Sequence, residues 1–333
     1  MTNHRAFEPL AKRARYLKRV FAAYLGRKPS QLTFWHEPPQ INENAFGRDS
    51  DEYYQQFFTK ADYKAWHDKD GIPMLDYRGH VGRQYNPIAI AQWGLGNWNL
   101  WRRTGMPGRR ERAKRAADWL VANLKPNEHG VPVWRHEFDW EYRDLLRAGW
   151  YSALAQGQGL SLLCRVHRAT GQDRYLETAR EAFRSLTIPA TGGGVSLPEG
   201  EDGAWLEETI VDPPTHILNG FLWALWGVRD YAAASDDRRA SDLVERCTKT
   251  LTRNLDDYDC GFWSLYEQSG TRLKMLASPF YHALHVSQLR VTARLLDMPE
   301  LARTADRWED YAAQPWCVRR ALAYKALFKV LYY

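Results

Sequence analysis

The stretch Gly149-Trp150-Tyr151-Ser152-Ala153-Leu154-Ala155-Gln156-Gly157 leads into an apolar, aromatic-rich helical segment, and its amide motif occurs four times in the chain. Spacings of 64, 63 and 69 residues separate the four amides, which are Gln92, Gln156, Asn219 and Gln288. A nearly constant period with similar content is typical of a repeat architecture. Each apolar segment runs toward a turn, and a more polar helical segment follows the last three turns. The sequence therefore predicts helical hairpins with a buried inner helix and a solvated outer helix.

Such hairpins arranged in a ring make an α/α barrel, or toroid, whose inner helices surround a central cleft. We expect residues 81–333 to form this mainly α domain and residues 1–80 to be a preface that packs on it. An amphipathic basic helix is predicted over residues 6–25, and packing on the domain is favoured over a membrane-surface role. Residues 28–84 are rich in Pro and Gly, so they are predicted to be irregular.

Three interruptions of the helical pattern fall between the hairpins. Residues 129–149 alternate apolar and polar side chains and predict a strand or hairpin. Residues 190–206 predict a loop and a short strand, and residues 259–267 form the third excursion. In a toroid such excursions gather at one end of the ring, and loops held by a rigid scaffold often carry function.

The composition favours a carbohydrate partner without excluding simpler explanations. The chain has 15 Trp and 18 Tyr, and flat rings with a polar edge suit sugars, although core packing explains many of them. The net charge of +6 suits an acidic partner. A net charge of this size is equally compatible with an ordinary protein surface. No signal peptide or membrane span is evident, so we expect a cytoplasmic protein near the membrane polysaccharide-synthesis machinery. The four cysteines lack metal or redox spacing and are interpreted as reduced thiols.

Three short segments place ionisable and aromatic side chains immediately before an inner helix: residues 149–152, 205–209 and 279–285. Glu207 and Glu208 are adjacent, so in an extended segment only one can face the cleft, while the other contacts the backbone or an arginine. Desolvation among Trp rings disfavours a charged carboxylate, which suits general acid–base catalysis. An acidic pair that caps a helix is the competing structural interpretation.

His282 and His285 share a helix face because they are three residues apart. A zinc site needs a third ligand at a matching spacing, and the sequence supplies none, so no metal is predicted. We expect these histidines to bind substrate or to orient Tyr281. The sequence also contains no nucleophile elbow, phosphate loop or dinucleotide fingerprint, so no cofactor is predicted.

The order of these motifs resembles the catalytic C-terminal domain of the D-glucuronyl C5-epimerases, the heparosan/heparan-type glucuronate epimerases, of bacterial type. The resemblance runs from residue 80 to residue 300. Four stretches carry it: Tyr85-Asn86-Pro87-Ile88-Ala89-Ile90-Ala91-Gln92-Trp93-Gly94-Leu95, Gly149 to Gly157, Trp205-Leu206-Glu207-Glu208-Thr209 followed by residues 213–221, and Tyr281-His282-Ala283-Leu284-His285-Val286-Ser287-Gln288-Leu289. No single stretch is specific, but their combination is.

The resemblance implies an α/α toroid and the reversible inversion of glucuronate to iduronate at C5 within a polymer. Removing the C5 proton needs a base on one face of the sugar, and inversion needs an acid on the other face. The resemblance places Glu208 and Tyr281 at catalytic positions, Tyr266 at a further catalytic tyrosine, and leaves Tyr151 as another candidate. A phenol needs a nearby cation to act as a base at neutral pH, and the candidates are Arg272, Lys274 and Arg290.

One residue departs from the family pattern. Thr209 lies where the family has a tyrosine that is thought to transfer a proton, and a threonine hydroxyl is too weakly acidic to replace it. Either Tyr266 or Tyr151 serves the second face, or the reaction or the substrate differs.

The first interpretation is therefore a uronate C5-epimerase-like isomerase that acts on an acidic polysaccharide or its repeat unit. A uronate polysaccharide lyase, which forms the same C5 carbanion, is the second. A glycoside hydrolase that pairs Glu208 with Asp139 or Asp212 is the third, and a non-catalytic polysaccharide-binding protein is the fourth. No nucleic acid partner is predicted, and the sequence allows a homodimer. The residues predicted to bind substrate are Gln92, Trp93, Tyr85, Trp150, Gln156, Trp205, Glu207, Asn219, Arg272, His282, His285 and Arg290.

Overall fold

The computed structural model describes residues 34–142 and 144–332, and the basic helix predicted over residues 6–25 lies outside them. A short helix α1 (Phe58–Ala61) precedes four helical hairpins. They are α2 (Pro87–Thr104) with α3 (Pro107–Asn123), α4 (Ala153–Thr170) with α5 (Asp173–Thr187), α6 (Leu218–Ala234) with α7 (Arg238–Asn254), and α8 (Pro279–Leu296) with α9 (Pro299–Ala313). A final helix, α10 (Pro315–Tyr332), packs on α9.

The first hairpin also has an outer helix, α3, although the repeat pattern placed outer helices only after the last three turns. Helix α3 is dominated by charged residues and buries only Ala113, Ala116, Ala117 and Leu120. Three of these four side chains are single methyl groups, so its apolar face is too weak for the period to stand out. All four repeats are therefore complete hairpins, and the predicted toroid of helical hairpins is confirmed.

The inner helices begin at well-defined caps. Asn86 accepts hydrogen bonds from the first turn of α2, Ser152 accepts one from Ala155 N in α4, and Ser278 accepts one from Tyr281 N in α8. Gly105 and Gly171 end α2 and α4 in the left-handed region that favours glycine. These signals define where each inner helix starts and where the chain turns outward.

Helices α4 and α6 approach each other very closely. A Cβ atom built on Gly227 would lie 1.9 Å from the carbonyl oxygen of Gly157 on the neighbouring helix. Two glycines that face each other let the helix backbones touch without side chains between them. The inner wall of the ring is tight at this crossing.

Residues 34–61 fill the space between α8 and α2, the last and first inner helices. On one side the His36 ring contacts the Phe280 ring at 5.0 Å, and Gln55 Nε2 donates to Ser287 Oγ at 3.1 Å. On the other side Lys60 Nζ donates to Gln92 Oε1 at 2.7 Å. This irregular segment therefore completes the ring in place of another helix.

A buried ion pair holds the same segment across the carboxyl ends of the inner helices. Arg165 on α4 pairs with Asp230 on α6 at 2.5 Å, and Tyr54 donates to the same carboxylate. Arg165 also donates to the carbonyl of Asp51 at 3.0 Å. This end of the ring is blocked, which leaves the amino ends of the inner helices as the open end.

Short antiparallel strands lie in the connections. They are β1 (Leu75–Asp76) with β2 (Arg83–Gln84), β3 (Lys125–Pro126) with β4 (Pro132–Val133), β5 (Arg135–His136) with β8 (Trp150–Tyr151), β6 (Trp140–Glu141) with β7 (Leu145–Leu146), and β9 (Ser196–Glu199) with β10 (Gly203–Leu206). Residues 259–267 form isolated bridges. No helix in the described ranges is long and apolar enough to cross a membrane.

Candidate active site

The amino ends of the inner helices are joined to one another by hydrogen bonds between their leading segments. Ala153 N at the start of α4 donates to the carbonyl of Glu207 at 2.9 Å, and Leu218 N at the start of α6 donates to the carbonyl of Tyr266 at 3.3 Å. The segments that carry the predicted catalytic residues therefore meet at the open end. Helix amino termini carry partial positive charge, which favours an anionic ligand there.

Glu208 lies at the amino terminus of α6. Asn219 Nδ2 donates to Glu208 Oε2 at 3.3 Å, and a Cβ atom on Gly220 would lie 2.2 Å from the same oxygen. The carboxyl thus rests against a helix turn that lacks a side chain. Burial, together with the neighbouring charge of Glu207, raises the pKa of Glu208 to about 8. This carboxyl can carry a proton at neutral pH and release it to a base or substrate.

Glu207 points away from Glu208 and supports the loop. Its carboxylate accepts hydrogen bonds from the backbone N–H of His216 at 3.1 Å and from Nδ1 of the same residue at 2.5 Å. The His216 ring stacks on Trp205 at 4.5 Å. Glu207 and Trp205, which are predicted to bind substrate, are buried and packed on His216. Glu207 has the backbone contact that was one of its two predicted partners, and His216 supplies its side-chain partner.

Thr209 is buried beside the catalytic candidate but bonds elsewhere. Its hydroxyl lies 3.0 Å from the Thr215 hydroxyl, within one loop. This contact gives the hydroxyl a structural partner in the segment that leads into α6.

Tyr266 and Tyr281 form an aromatic pair. Their ring centroids are 4.8 Å apart, with a T-shaped geometry. Tyr266 is held through its carbonyl at the start of α6, and Tyr281 lies in the first turn of α8. The backbone contact of Leu218, next to Asn219, links this pair to Glu208. Three of the four predicted catalytic side chains therefore come from adjoining segments.

Sequence reasoning missed a second buried carboxyl, that of Glu267. Tyr142, from the connection between β6 and β7, donates a hydrogen bond to it. Burial raises the pKa of Glu267 to about 7, while a hydrogen bond from Ser269 and the charge of Lys325 oppose the shift. Glu267 directly follows Tyr266 in the third excursion. This position is the feature of the sequence that could have indicated it as a candidate.

Tyr151 lies apart from this cluster. It pairs with Arg135 across β5 and β8, and its phenol lies beside Glu128 and Asn127. Burial, followed by the charge of Glu128, raises the pKa of Tyr151. Its neighbour Trp150 stacks on His136 at 3.7 Å. The prediction that places Tyr151 with Glu208 is not supported by these contacts, since strand pairing directs the residue toward the β3–β4 turn.

The repeated amides are buried and hydrogen-bonded within the fold. Gln156 brackets the backbone of Trp134 at 3.3 Å through both of its side-chain atoms, and Gln288 donates to the carbonyl of Asn219 at 2.9 Å. Gln92 accepts from Lys60. Both polar atoms of Gln156, which is predicted to bind substrate, are hydrogen-bonded within the fold. Asn219 contacts the candidate site by donating a hydrogen bond to Glu208.

Two other predicted substrate residues lie on α2 and just before it. Trp93 is 2% exposed and belongs to the core, so it cannot contact a sugar in this conformation. Tyr85 is exposed, with its hydroxyl donating to Asp68 at 2.7 Å and its ring beside Trp119 of the outer helix α3. Its contacts are at the rim of the ring.

The predicted substrate-binding cations and histidines of the fourth hairpin also have structural partners. His282 stacks on Trp263 at 3.8 Å and bonds the carbonyl of Trp308 at 2.8 Å, and His285 lies 3.1 Å from Ser264 Oγ. Arg290 pairs with Asp306 and Glu309 on α9, both at 2.7 Å. These contacts hold the inner helix to its outer partner and to its preceding loop. Arg272 and Lys274 are exposed.

Comparison with known proteins identifies relatives of this chain. The model of the D-glucuronyl C5-epimerase C-terminus matches residues 127–310, which is more than half of the chain. The D-glucuronyl C5-epimerase of Caenorhabditis elegans is 35% identical over 217 residues, covering 59% of this chain and 34% of that protein. An uncharacterized protein of Methanocaldococcus jannaschii is 30% identical over 176 residues, covering 52% of this chain and 56% of that protein.

The chain thus spans about a third and about half of the lengths of these two curated relatives. Among solved structures, cellobiose 2-epimerase from Bacillus thermoamylovorans superposes with a TM-score of 0.53 at 13% identity, covering 78% of this chain and 67% of that chain. This similarity concerns the fold. Because the family model matches more than half of its residues, the chain belongs to the family of the D-glucuronyl C5-epimerase C-terminus.

Proposed function

We propose that this chain is a carbohydrate epimerase that inverts C5 of glucuronate units in an acidic polysaccharide. The observation that carries the proposal is Glu208, a carboxyl with a pKa raised to about 8 at the open end of the ring. Family membership and the relative named D-glucuronyl C5-epimerase support the same reaction. The basic net charge of +6 is compatible with an acidic polymer as the partner.

The chemistry requires proton transfer on both faces of the sugar ring. A base takes the C5 proton, and the electron pair of the C–H bond passes into the adjacent carboxylate as an enolate-like state. An acid then returns a proton to C5 from the opposite face. The amino ends of the inner helices provide partial positive charge where the negative charge of that state grows.

Glu208 is the proposed acid in the direction from glucuronate to iduronate. A carboxyl with a pKa of about 8 is mostly protonated at neutral pH, so it can donate to the carbanion and become the base of the reverse reaction. Tyr266 and Tyr281, in ring contact 4.8 Å apart, are the proposed groups for the other face.

Glu267 is the proposed proton acceptor behind the tyrosines. Its pKa of about 7 leaves about half of the carboxyl ionised at neutral pH, whereas an ordinary phenol stays protonated. It follows Tyr266 in sequence and accepts a hydrogen bond from Tyr142. Glu208 and Glu267 would then hold opposite protonation states in the resting enzyme, as a reaction with one acid and one base requires.

A uronate lyase is the second candidate because Thr209 replaces the family tyrosine. A threonine hydroxyl is too weakly acidic to serve the second face, and this hydroxyl contacts the Thr215 hydroxyl at 3.0 Å. A lyase needs one acid fewer, since it expels the group at C4. A glycoside hydrolase is less well supported, because hydrogen bonds from Ala148 N and Arg147 lower the pKa of Asp139, and Asp212 is exposed.

Product analysis on heparosan separates these functions. An epimerase yields iduronate in the intact polymer, and a lyase yields shorter chains with an ultraviolet-absorbing unsaturated end. We expect iduronate, and we expect Glu208→Gln and Tyr281→Phe each to abolish its formation while the fold is retained. Unsaturated ends would replace the epimerase by the lyase, and full activity of either variant would refute the site assignment.

A further inference from the structure

A cleft opens on the solvent-facing side of the β1–β2 hairpin. Its volume is about 790 Å³, within the range of roughly 300–1,000 Å³ that is typical of small-molecule sites. Leu75 and Tyr77 are buried on the other face of the hairpin, so the residues that alternate with them face the cleft. The cleft has room for a sugar unit, and its lining consists of Ala65, Trp66, Asp76, Arg78, Gly79, Gly82 and Arg83.

This hairpin lies at the open end of the ring, because β2 ends two residues before the cap of α2. On its buried face the Tyr77 ring contacts the rings of Phe138 at 4.6 Å and Trp140 at 5.5 Å. Trp140 begins β6, and Tyr142, which follows that strand, donates a hydrogen bond to Glu267. The hairpin that carries the cleft is therefore packed on the connection that contacts the proposed catalytic cluster.

Arg83 brings to the cleft a guanidinium that is already held in place. Its Cζ lies 3.2 Å from the centroid of the Trp66 ring, and Trp66 is 37% exposed. Within the described ranges, no carboxylate forms an ion pair with Arg83 and no acceptor takes a hydrogen bond from its side chain. Stacking occupies the flat face of a guanidinium, so the N–H donors in its plane can still bind a carboxylate in a bidentate manner.

The turn of the hairpin holds a second arginine at the cleft. Arg78 has a φ of 59°, in the left-handed region that is uncommon for a residue with a side chain and that is concentrated at ligand sites. Arg78 N donates to Asp76 Oδ1 at 2.8 Å, and Gly82 N donates to the carbonyl of Arg78 at 3.3 Å. Two guanidinium groups against the single carboxylate of Asp76 leave the cleft with a net positive charge.

We propose that this cleft is a subsite for a uronate unit of the polymer other than the reacting unit, with its carboxylate on Arg83 and Arg78 and a hydroxyl that donates to Asp76. The Trp66 indole supplies apolar surface for the sugar ring. The inference rests on the proposed function for the identity of the polymer. It gives the open end a second contact with the substrate, which anchors the chain while another unit reacts beside Glu208.

Calorimetric titration with a heparosan octasaccharide measures this contact. We expect Arg83→Gln to weaken binding by about tenfold, because a charge-assisted bidentate contact is lost. Arg110→Gln is the matched control, since Cζ of the exposed Arg110 also lies over a tryptophan ring, 5.3 Å from the centroid of Trp101. Trp101 is in the last turn of α2, at the blocked end of the ring, so this control removes the same charge but should bind as the wild type does.

A carboxyl-reduced octasaccharide, with glucose in place of glucuronate, shows whether Arg83 recognises a carboxylate. We expect reduction to weaken binding to the wild type by about tenfold more than it weakens binding to Arg83→Gln, because only the wild type has this contact to lose. An equal loss in both proteins, equal affinities of Arg83→Gln and Arg110→Gln, or no binding of the native octasaccharide would overturn the subsite.

Arg78→Gly tests the second cation. Glycine adopts the left-handed region freely, so this variant keeps the turn while it removes the charge. We expect its melting temperature to be retained and its affinity for the octasaccharide to fall several-fold; an unchanged affinity would remove Arg78 from the subsite. Binding that depends on Arg83 without iduronate formation would refute the proposed function alone. Iduronate formation with full affinity in Arg83→Gln would refute the subsite alone.

Discussion

Glu208 combines a functional position with an unfavourable electrostatic environment. Its carboxyl packs against Gly220, which has no side chain. Burial, followed by the charge of Glu207, raises its pKa from 4.5 to about 8. The folded protein therefore binds this proton more tightly than the unfolded chain does. The stability that results is fully present below the unfolded pKa and is lost as pH rises through about 8.

Replacing Glu208 by Gln removes this dependence on pH. We expect the melting temperature of Glu208→Gln to equal that of the wild type in acid and to exceed it by about 2 °C or more at alkaline pH. Thermal unfolding followed by circular dichroism across this range is the measurement. A difference in melting temperature that does not change with pH would contradict the assigned pKa.

Thr209 tests whether a hydroxyl at the position of the family tyrosine contributes to turnover. We expect Thr209→Val to keep the wild-type rate while it lowers the free energy of unfolding by about 1 kcal/mol, because Thr215 loses its buried partner. Rate assays and urea unfolding measure the two effects. The double variant Thr209→Val with Thr215→Val should recover part of the stability, and a lost rate in the single variant would give Thr209 a catalytic role.

The sequence can indicate some residues of the candidate site, because a short local pattern shows that they lie just before an inner helix. Glu208 and Tyr281 lie in such segments, and the family resemblance added Tyr266; their catalytic roles stay predictions. His282 and Arg290 were assigned to substrate because their types suit it, yet Trp308 and the acidic residues of α9 occupy them. Those partners lie on the next helix, 16 to 26 residues along the chain, so local pattern could not show that these groups already had partners.

At the level of elements, the contact between α4 and α6 is a steric requirement. Alanine at Gly227 would place Cβ 1.9 Å from the backbone oxygen of Gly157, and only a shift of one helix relieves this overlap. We expect Gly227→Ala to lower the free energy of unfolding by about 2 kcal/mol or more. Urea unfolding measures it.

Gly108 provides the control for this substitution, since it also lies in a helix and a Cβ atom there meets nothing within 4 Å. Gly108→Ala should be neutral or slightly stabilising, because alanine favours helix. Equal stability of both variants would show that α4 and α6 are not in contact at this crossing.

At the first turn of α6, Gly220 is required for a different reason, because the absence of its side chain leaves space for the carboxyl of Glu208. A Cβ atom on Gly220 would lie 2.2 Å from Glu208 Oε2, so alanine must displace the carboxyl. We expect Gly220→Ala to reduce kcat by about 100-fold, since a displaced acid loses its catalytic geometry, while the fold is largely kept. Steady-state kinetics and a thermal melt decide the matter; an unchanged kcat would place catalysis away from Glu208.

The helices could be predicted from sequence more fully than their connections. The period of the inner helices comes from almost continuous burial along α2, α4, α6 and α8, which leaves a strong apolar pattern. The outer helix α3 did not stand out as part of the repeat because most of its buried positions are alanines. The excursion over residues 259–267 makes isolated bridges, whose partners depend on the tertiary fold.

For the whole molecule, the open end of the ring combines two carboxyls with raised pKa values. The proposed reaction from glucuronate to iduronate needs Glu267 ionised and Glu208 protonated. We expect kcat to rise as Glu267 ionises near pH 7 and to fall as Glu208 ionises near pH 8, which gives a narrow bell-shaped profile. Initial rates of iduronate formation across this range test it. A rate that stays constant through both values would separate these groups from the chemistry.

Closure of the ring could not be predicted from the sequence. Residues 34–61 join α8 to α2 through contacts such as Gln55 with Ser287, which are 232 residues apart. An irregular segment leaves no periodic signal, and its role depends on a gap that exists only when all four hairpins are in place.

Proton exchange at C5 of glucuronate tests the central claim most directly. Heparosan incubated with the protein in heavy water and examined by proton NMR should gain deuterium at C5 together with iduronate signals, because both faces exchange protons with solvent. Exchange with retained configuration would show that only one face is served, as the loss of the family tyrosine at Thr209 would allow. The absence of deuterium at C5 in heparosan and in other glucuronate polymers would contradict the proposed epimerase.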